Sequence, residues 1–158
     1  MCLHVAVVAD THGKTNEIVQ VLKQRIPDYL LFAGDHFSDG IKIANELGIA
    51  YNVVPGNCDY EPDQDQEAVV TLKGHRILLV HGHQYGVKHD LNRLFYRGRE
   101  MGAEAVVFGH THTPLIEKTD GLWLINPGSP SRARIPGQGT YAMIKVDEKE
   151  LTVSLENL

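Results

Sequence analysis

The chain has 158 residues, a length that suits one domain spanning 1–158, and its 42% hydrophobic content is enough to fill one continuous core. Fifteen Lys and Arg against twenty Asp and Glu give a formal charge of -5, which leaves no broad basic surface for nucleic acid or anionic lipid. No apolar run approaches the roughly 20 residues of a membrane span, the first residues do not read as a signal peptide, and Cys2 and Cys58 suit a reducing cytoplasm better than a disulfide framework.

In chain order, apolar runs predict strands over 3–9, 29–33 and 50–54, alternating with helices over 16–25 and 40–47. Thr15 is the candidate N-cap of the first helix, Ile18, Val19, Val21, Leu22 and Ile26 its apolar face, and Pro27 its stop. Asp39 is the candidate cap of the second and Gly48 its C′ residue. After an acidic, turn-rich stretch at 61–66 the texture changes to a hairpin, 68–72 and 76–80 about Lys73-Gly74. A third helix is predicted over 90–101, with Leu91, Leu94 and Phe95 inward and Arg93, Arg97 and Arg99 outward. A buried strand follows at 105–108, then strands at 115–118, 122–125, 141–146 and 151–155, the first pair turning at Asp120-Gly121. So many strands strain a single open sheet. The expected fold is α/β, with two packed mixed sheets flanked by helices in an αββα order.

Chemistry gathers where the apolar strands end. The segments HVAVVADTH, YLLFAGD, YNVVPGN, ILLVHGH and AVVFGHTH each close on a side chain able to bind metal. In open α/β sheets ligands bind beyond the carboxyl ends of the strands, so these ends would share one crevice. Residues at i and i+2 of an extended segment project to the same side, which lets Asp10 and His12, or His110 and His112, address one site. Glycines 34, 56, 82 and 109 would supply permissive backbone and close approach there. The mixture of carboxylate, amide oxygen and imidazole suits Mn²⁺, Fe, Zn²⁺, Ni²⁺ or Co²⁺ better than Ca²⁺. There are too many donors for one tetrahedral ion, whereas two ions about 3.5 to 4 Å apart sharing a carboxylate would use them all.

These residues resemble the calcineurin-like metallophosphoesterases, whose signature D-x-H, G-D, G-N-[HC]-[DE], a later histidine and G-H-x-H reads here as Asp10-Thr11-His12, Gly34-Asp35, Gly56-Asn57-Cys58-Asp59, His81-Gly82-His83 and Gly109-His110-Thr111-His112. Chain size, Cys58 and the Asn126-Pro127-Gly128-Ser129 loop look most like the small prokaryotic YfcE-type phosphodiesterases. The resemblance covers essentially the whole length. It implies a four-layer αββα sandwich and phosphoester hydrolysis with two divalent ions, Mn²⁺ first and Ni²⁺, Zn²⁺, Fe, Co²⁺ or Mg²⁺ as alternates. It also implies that Asp10, His12 and His112 hold the first ion, that Asn57, His81 and His110 hold the second, and that Asp35 bridges. His83 stands as the alternative to His81. A hydroxide between the ions would attack phosphorus in line, with Asp35, Asn57, His81 and Cys58 as the catalytic set.

Many relatives carry, in place of Cys58, a histidine thought to protonate the leaving oxygen. A thiol of ordinary pKa, about 8.5, is protonated at neutral pH but donates poorly. The expectation is a preference for esters with good leaving groups, including aryl diesters, with His36 or His83 as substitute donors. His36, His83 and Arg132 are the candidate substrate-binding residues, with Arg134 beside Arg132. The plainer readings are that Cys58 is a small buried residue, Asp59 a partner of ligands and His36 a solvated loop residue. His4, His75 and His89 read as structural or surface groups. Because imidazoles bind metal only when neutral, metal affinity is expected to weaken below roughly pH 6.5. The partners expected are a small phosphoester substrate and, by resemblance, further copies of the chain in a homodimer or homotetramer. Competing functions are a phosphomonoesterase or dinucleoside polyphosphate hydrolase on the same site, a nuclease, which the acidic balance disfavours, and an interaction scaffold resembling the family's retromer subunit.

Overall fold

The computed structural model of the chain describes residues 2–60, 63–132 and 137–158, so Arg134 and the start of the acidic 61–66 stretch lie outside the described residues. The elements in order are β1 (Leu3–Val8), α1 (Asn16–Lys23), β2 (Tyr29–Phe32), α2 (Phe37–Leu47), β3 (Ala50–Val53), β4 (Glu67–Leu72), β5 (His75–Val80), α3 (Asn92–Glu100), β6 (Ala105–Val107), β7 (Leu115–Thr119), β8 (Leu122–Asn126), β9 (Thr140–Val146) and β10 (Leu151–Asn157). They form two five-stranded sheets, ordered β10-β9-β1-β2-β3 and β4-β5-β6-β8-β7. Both are mixed: β1, β2 and β3 run parallel with β9 antiparallel to β1, and β5, β6 and β8 run parallel with β4 and β7 antiparallel at the edges.

The sheets pack face to face, and strand alternation explains how runs such as HVAVV can be apolar throughout. Val5, Val7 and Leu31 from one sheet meet Ile77, Leu79 and Val107 from the other in a common core. Their neighbours Ala6, Val8, Leu30 and Phe32 turn outward under α1 and α2, and Leu78, Val80 and Val106 turn outward under α3. Strands buried on both faces need no polar alternation. Each fully buried Leu or Ile in these layers contributes about 1.5–3 kcal/mol. The layering is the αββα sandwich expected from the sequence. The β4–β5 and β7–β8 hairpins turn through two left-handed residues, Lys73 (φ 51) with Gly74 (φ 83) and Asp120 (φ 48) with Gly121 (φ 80), the geometry that matches strand twist. Among the described residues no helix is long and apolar enough to cross a membrane.

The first helix starts at Asn16 behind Thr15 as expected, and the helices depart from expectation elsewhere. The helix α2 begins at Phe37, three residues before the expected Gly40, because His36 occupies the capping position with φ 67 and Asp59 Oδ1 accepts the Phe37 N–H at 3.0 Å. Asp39 is therefore inside the helix and caps nothing. The α1 helix closes at Lys23, and Ile26, expected on its apolar face, is 56% exposed. In α3 the buried residues are Leu94 and Gly98, while Leu91 and Phe95 are only partly covered. Arg97, expected to face solvent, is half-buried and holds Glu67 of β4 with Nε 3.1 Å from Oε1.

Candidate metal centre

Because β1, β2 and β3 are parallel, their carboxyl ends lie at one edge of the first sheet, and β5 and β6 deliver theirs at the same edge of the second. Asp10 follows β1 by two residues, Asp35 follows β2, Asn57 follows β3, His81 follows β5 directly and His110 follows β6. Seven described residues other than glycine have positive φ; two belong to the hairpin turns, and the other five are Asp10 (57), His12 (50), His36 (67), His110 (70) and His112 (60). Left-handed backbone costs a non-glycine residue roughly 1–3 kcal/mol and persists only where surroundings over-determine it. The strain is concentrated at the strand ends that carry the candidate donors.

Close approach of the first sheet's loops is bought with glycine at two positions. A Cβ on Gly34, whose φ is 78, would lie 2.6 Å from the Gly56 nitrogen, and one on Gly56 would lie 1.8 Å from Asp35 Oδ1. The loops after β2 and β3 thus touch backbone to backbone beneath the Asp35 carboxylate.

The side chains converge. His81 is fully buried, and its Nε2 lies 3.1 Å from Asp10 Oδ1 and 3.6 Å from Asp35 Oδ2. His112 Nε2 lies 3.6 Å from the same Asp10 oxygen and 3.4 Å from His12 Nε2. The donor atoms fall into two groups, Asp10 with His12 and His112, and Asp10 with Asp35 and His81, each with all its atoms within 4.8 Å of one another. Asp10 is common to both, whereas the sequence reading gave the shared position to Asp35. The His110 ring centroid lies 4.9 Å from that of His81, and the His110 N–H donates to Asp10 Oδ2 at 3.0 Å. Asn57 sits on the exposed rim of its loop, its amide nitrogen 3.9 Å from Cys58 Sγ, and no hydrogen bond joins it to the other six among the described residues.

The pair His81 and His83 separates clearly. His81 points into the cluster, while His83, partly exposed and starting a short 3₁₀ turn at His83–Tyr85, meets its outer nitrogen, the two Nδ1 atoms lying 3.0 Å apart. Burial, joined by the nearby His81 and Lys88, pushes the His110 imidazole down to about 4. Burial and the Arg132 charge likewise lower His12, against the pull of Asp10. Burial raises the Asp35 carboxyl, but His81 and the Cys58 N–H, donated to Asp35 Oδ1 at 2.9 Å, outweigh it and leave the group below its ordinary value. Burial and the neighbouring Asp35 push the Cys58 thiol up.

The remaining candidates divide. Cys58 is exposed, not a small core residue, and stands at the rim beside Asp35. Asp59 accepts the Gly56 N–H at 2.9 Å and the Phe37 N–H, and so holds two loops together. His36 is exposed, its ring centroid 5.5 Å from that of His12. Arg132 is exposed with its backbone N–H on Ser129 Oγ, close enough for its charge to act on His12. His75 is buried far from the cluster between Glu104 and the Asp147 carbonyl. A groove of about 690 Å³ lined by Gly13, Lys14, Lys42 and Ser131 opens beside the His12 loop.

Sequence reasoning did not give positions to the polar residues that fix the loops. Asn126 Nδ2 donates to the Gly109 carbonyl at 3.1 Å and to Thr111 Oγ1 at 3.0 Å. Ser129 Oγ donates to the Asp10 carbonyl at 2.8 Å and Ser131 Oγ to the Thr11 carbonyl at 2.6 Å. The available signal was a polar residue closing the apolar strand LWLIN, followed by Pro-Gly-Ser.

Residues 3–149 match the family described as the calcineurin-like phosphoesterase superfamily domain. The chain is 33% identical over 153 residues to the probable metallophosphoesterase YsnB of Bacillus subtilis (strain 168), covering 96% of this chain and 89% of that one. It is 28% identical over 166 residues to phosphodiesterase YfcE of Escherichia coli (strain K12), covering 88% and 85%. In fold it is similar to a wild-type Vps29 of Entamoeba histolytica solved as a complex with zinc, with a TM-score of 0.83 at 21% identity over 99% of this chain and 98% of that one. With the family match spanning nearly all of the sequence and the strand-end motifs gathered at one edge of the sandwich, the chain belongs to the calcineurin-like phosphoesterase superfamily.

Proposed function

We propose that the chain is a phosphodiesterase that hydrolyses small phosphoesters with two divalent metal ions, Mn²⁺ first among the candidates. The observation that carries this reading is the pair of tight donor groups joined through Asp10. The donor set fits such ions: two buried carboxylates and four imidazoles gathered together, and no all-oxygen shell of the kind Ca²⁺ prefers. Asp10, His12 and His112 would hold one ion, and Asp35, His81, His110 and Asn57 the other, with Asp10 and Asp35 the carboxylates available to lie between them. Ions bound there would acidify water and offset charge on the phosphoryl oxygens of an in-line displacement.

The chain's own groups set up that chemistry. For His81 to offer Nε2 as a donor its proton must sit on Nδ1, and His83 Nδ1 at 3.0 Å is placed to accept it. Low imidazole pKa values keep His110 and His12 available as neutral donors. Cys58, held protonated by burial and by Asp35, stands where relatives of this family place a proton donor. A thiol is a weak donor, so esters whose leaving groups need little help are preferred, aryl diesters above alkyl monoesters. The groove beside His12 has room for the alcohol portion of a small ester, and the relative named a phosphodiesterase supports the diester reading.

The test is metal analysis joined to hydrolysis of a chromogenic aryl diester, with Asp35→Asn and His81→Ala as controls. Two ions per chain and loss of activity in both variants are expected. Full activity in Asp35→Asn contradicts the reading. The likeness to Vps29 keeps a second reading in view, an interaction scaffold on the same fold; metal-replete protein inert on every ester would select it.

A further inference from the structure

We propose that Asp39 is a positioning residue for His12: a buried carboxylate on α2 that clamps both neighbours of His12 from a single oxygen. This rests on the two-ion reading above. Asp39 is 8% exposed, and among the described residues it has no ion-pair partner. Its Oδ2 instead accepts the Thr11 hydroxyl and the Gly13 N–H, both at 2.7 Å. A carboxylate oxygen largely kept from water must take its stabilisation from such donors, and here both come from the loop after β1.

The loop needs that hold. Asp10 and His12 have left-handed φ values of 57 and 50, and Gly13 follows at 84. Three consecutive anchors fix the chain on either side of His12: Ser129 Oγ on the Asp10 carbonyl, Ser131 Oγ on the Thr11 carbonyl, and Asp39 on the Thr11 hydroxyl and Gly13 N–H. Among the described residues the His12 ring itself has one hydrogen-bond contact, His112 Nε2 at 3.4 Å. Its direction is therefore set by the backbone that carries it. Asp39 lies four residues after Asp35 and 26 after Gly13, so the same helix that follows one donor loop fixes the other. The Asp10 carboxylate is independently held by the Asp35 and His110 N–H groups, and His81 leaves β5 in the opposite sheet. Loss of the clamp should then loosen the group Asp10, His12 and His112 and spare the group Asp10, Asp35 and His81.

Metal-free wild type, Asp39→Ala, Asp39→Asn and Thr11→Val are titrated with Mn²⁺ alone, free Mn²⁺ being followed by electron paramagnetic resonance. Hydrogen exchange at the Gly13 amide is measured on the same samples without metal. Asp39→Ala is expected to weaken one of two binding steps by about 10- to 100-fold, the usual cost of losing a ligand's supporting partner, and to leave the other step unchanged. The weakened step should be the one that His12→Ala removes. Asp39→Asn keeps an acceptor oxygen without the charge and should restore most of the affinity, and Thr11→Val, which severs one arm and leaves Asp39 in place, should fall between. Gly13 exchange should accelerate in Asp39→Ala. Both steps unchanged, both weakened equally, Asn as weak as Ala, or an unaltered Gly13 exchange rate would each overturn the clamp. Wild type that binds no Mn²⁺ would overturn the two-ion reading instead, and the Gly13 comparison would still decide whether Asp39 holds the loop.

Discussion

Gly56→Ala perturbs the centre through one added carbon. The new Cβ would fall 1.8 Å from Asp35 Oδ1 and 2.7 Å from Asp35 Cγ, where contacts under 3.0 Å are not tolerated, so the carboxylate must move by more than about 1 Å. Gly56 has no positive φ, so alanine fits the backbone and the clash is the whole perturbation. Moving Asp35 also breaks the hydrogen bond its Oδ1 accepts from the Cys58 N–H. Misplacing a catalytic group by about 1 Å costs on the order of 100-fold in rate. Overpacking costs roughly 1–3 kcal/mol, offset by about 0.4–1 kcal/mol from the lower entropy of the unfolded alanine chain. The variant should therefore fold, with a thermal midpoint lowered by only several degrees, while kcat/KM on a chromogenic aryl diester drops by about two orders of magnitude. The assay is steady-state hydrolysis at saturating Mn²⁺ beside a thermal melt. Activity within twofold of wild type in a folded Gly56→Ala protein would refute the claim that Asp35 works from this position.

Three further outcomes follow from the same geometry. Proton competition for the metal should be weaker than four ordinary imidazoles would give, because burial pushes His110 down to about 4 and His12 is also depressed; between about pH 6.5 and 5, Mn²⁺ affinity should fall only shallowly, and a decline as steep as two protons per site would contradict it. His75 is raised by its hydrogen bond to Glu104, with help from the Asp147 carbonyl and against burial. Its folded pKa exceeds its unfolded one, so the stabilisation is complete below about pH 6.5 and is lost as pH rises through the folded value. The urea midpoint should decline over that window in wild type and decline less in Glu104→Gln, where the Asp147 contribution remains. Cys58→His should raise turnover on alkyl esters more than on aryl diesters by supplying a better proton donor; equal gains on both would count against a leaving-group role for position 58.

The fold was legible because each β-strand announced itself as an apolar run bounded by turn residues, and the two-residue alternation of Val5, Val7 against Ala6, Val8 needed only two facing layers to bury both sides. What the sequence did not reveal was the start of α2. Asp39 has the composition of a cap, yet its carboxylate turns to Thr11 and Gly13 while Asp59, twenty-two residues beyond Phe37, accepts the first helical N–H. Such exchanges depend on which loops meet in space, and local pattern carries no trace of them. Within the site, the motif residues lie at converging strand ends, but choosing His81 over His83 required seeing that one is fully buried against Asp10 and the other backs it. The sharing of Asp10 between two groups is likewise a property of the sandwich, set by where β1 ends between the carboxyl ends of β2 and β5.

The most direct measurement is anomalous diffraction at the manganese edge from crystals soaked in Mn²⁺. Two peaks per chain are predicted, one against Asp10, His12 and His112 and the other against Asp35 and His81. A single peak, or none, in a protein that hydrolyses the diester would contradict the two-ion account.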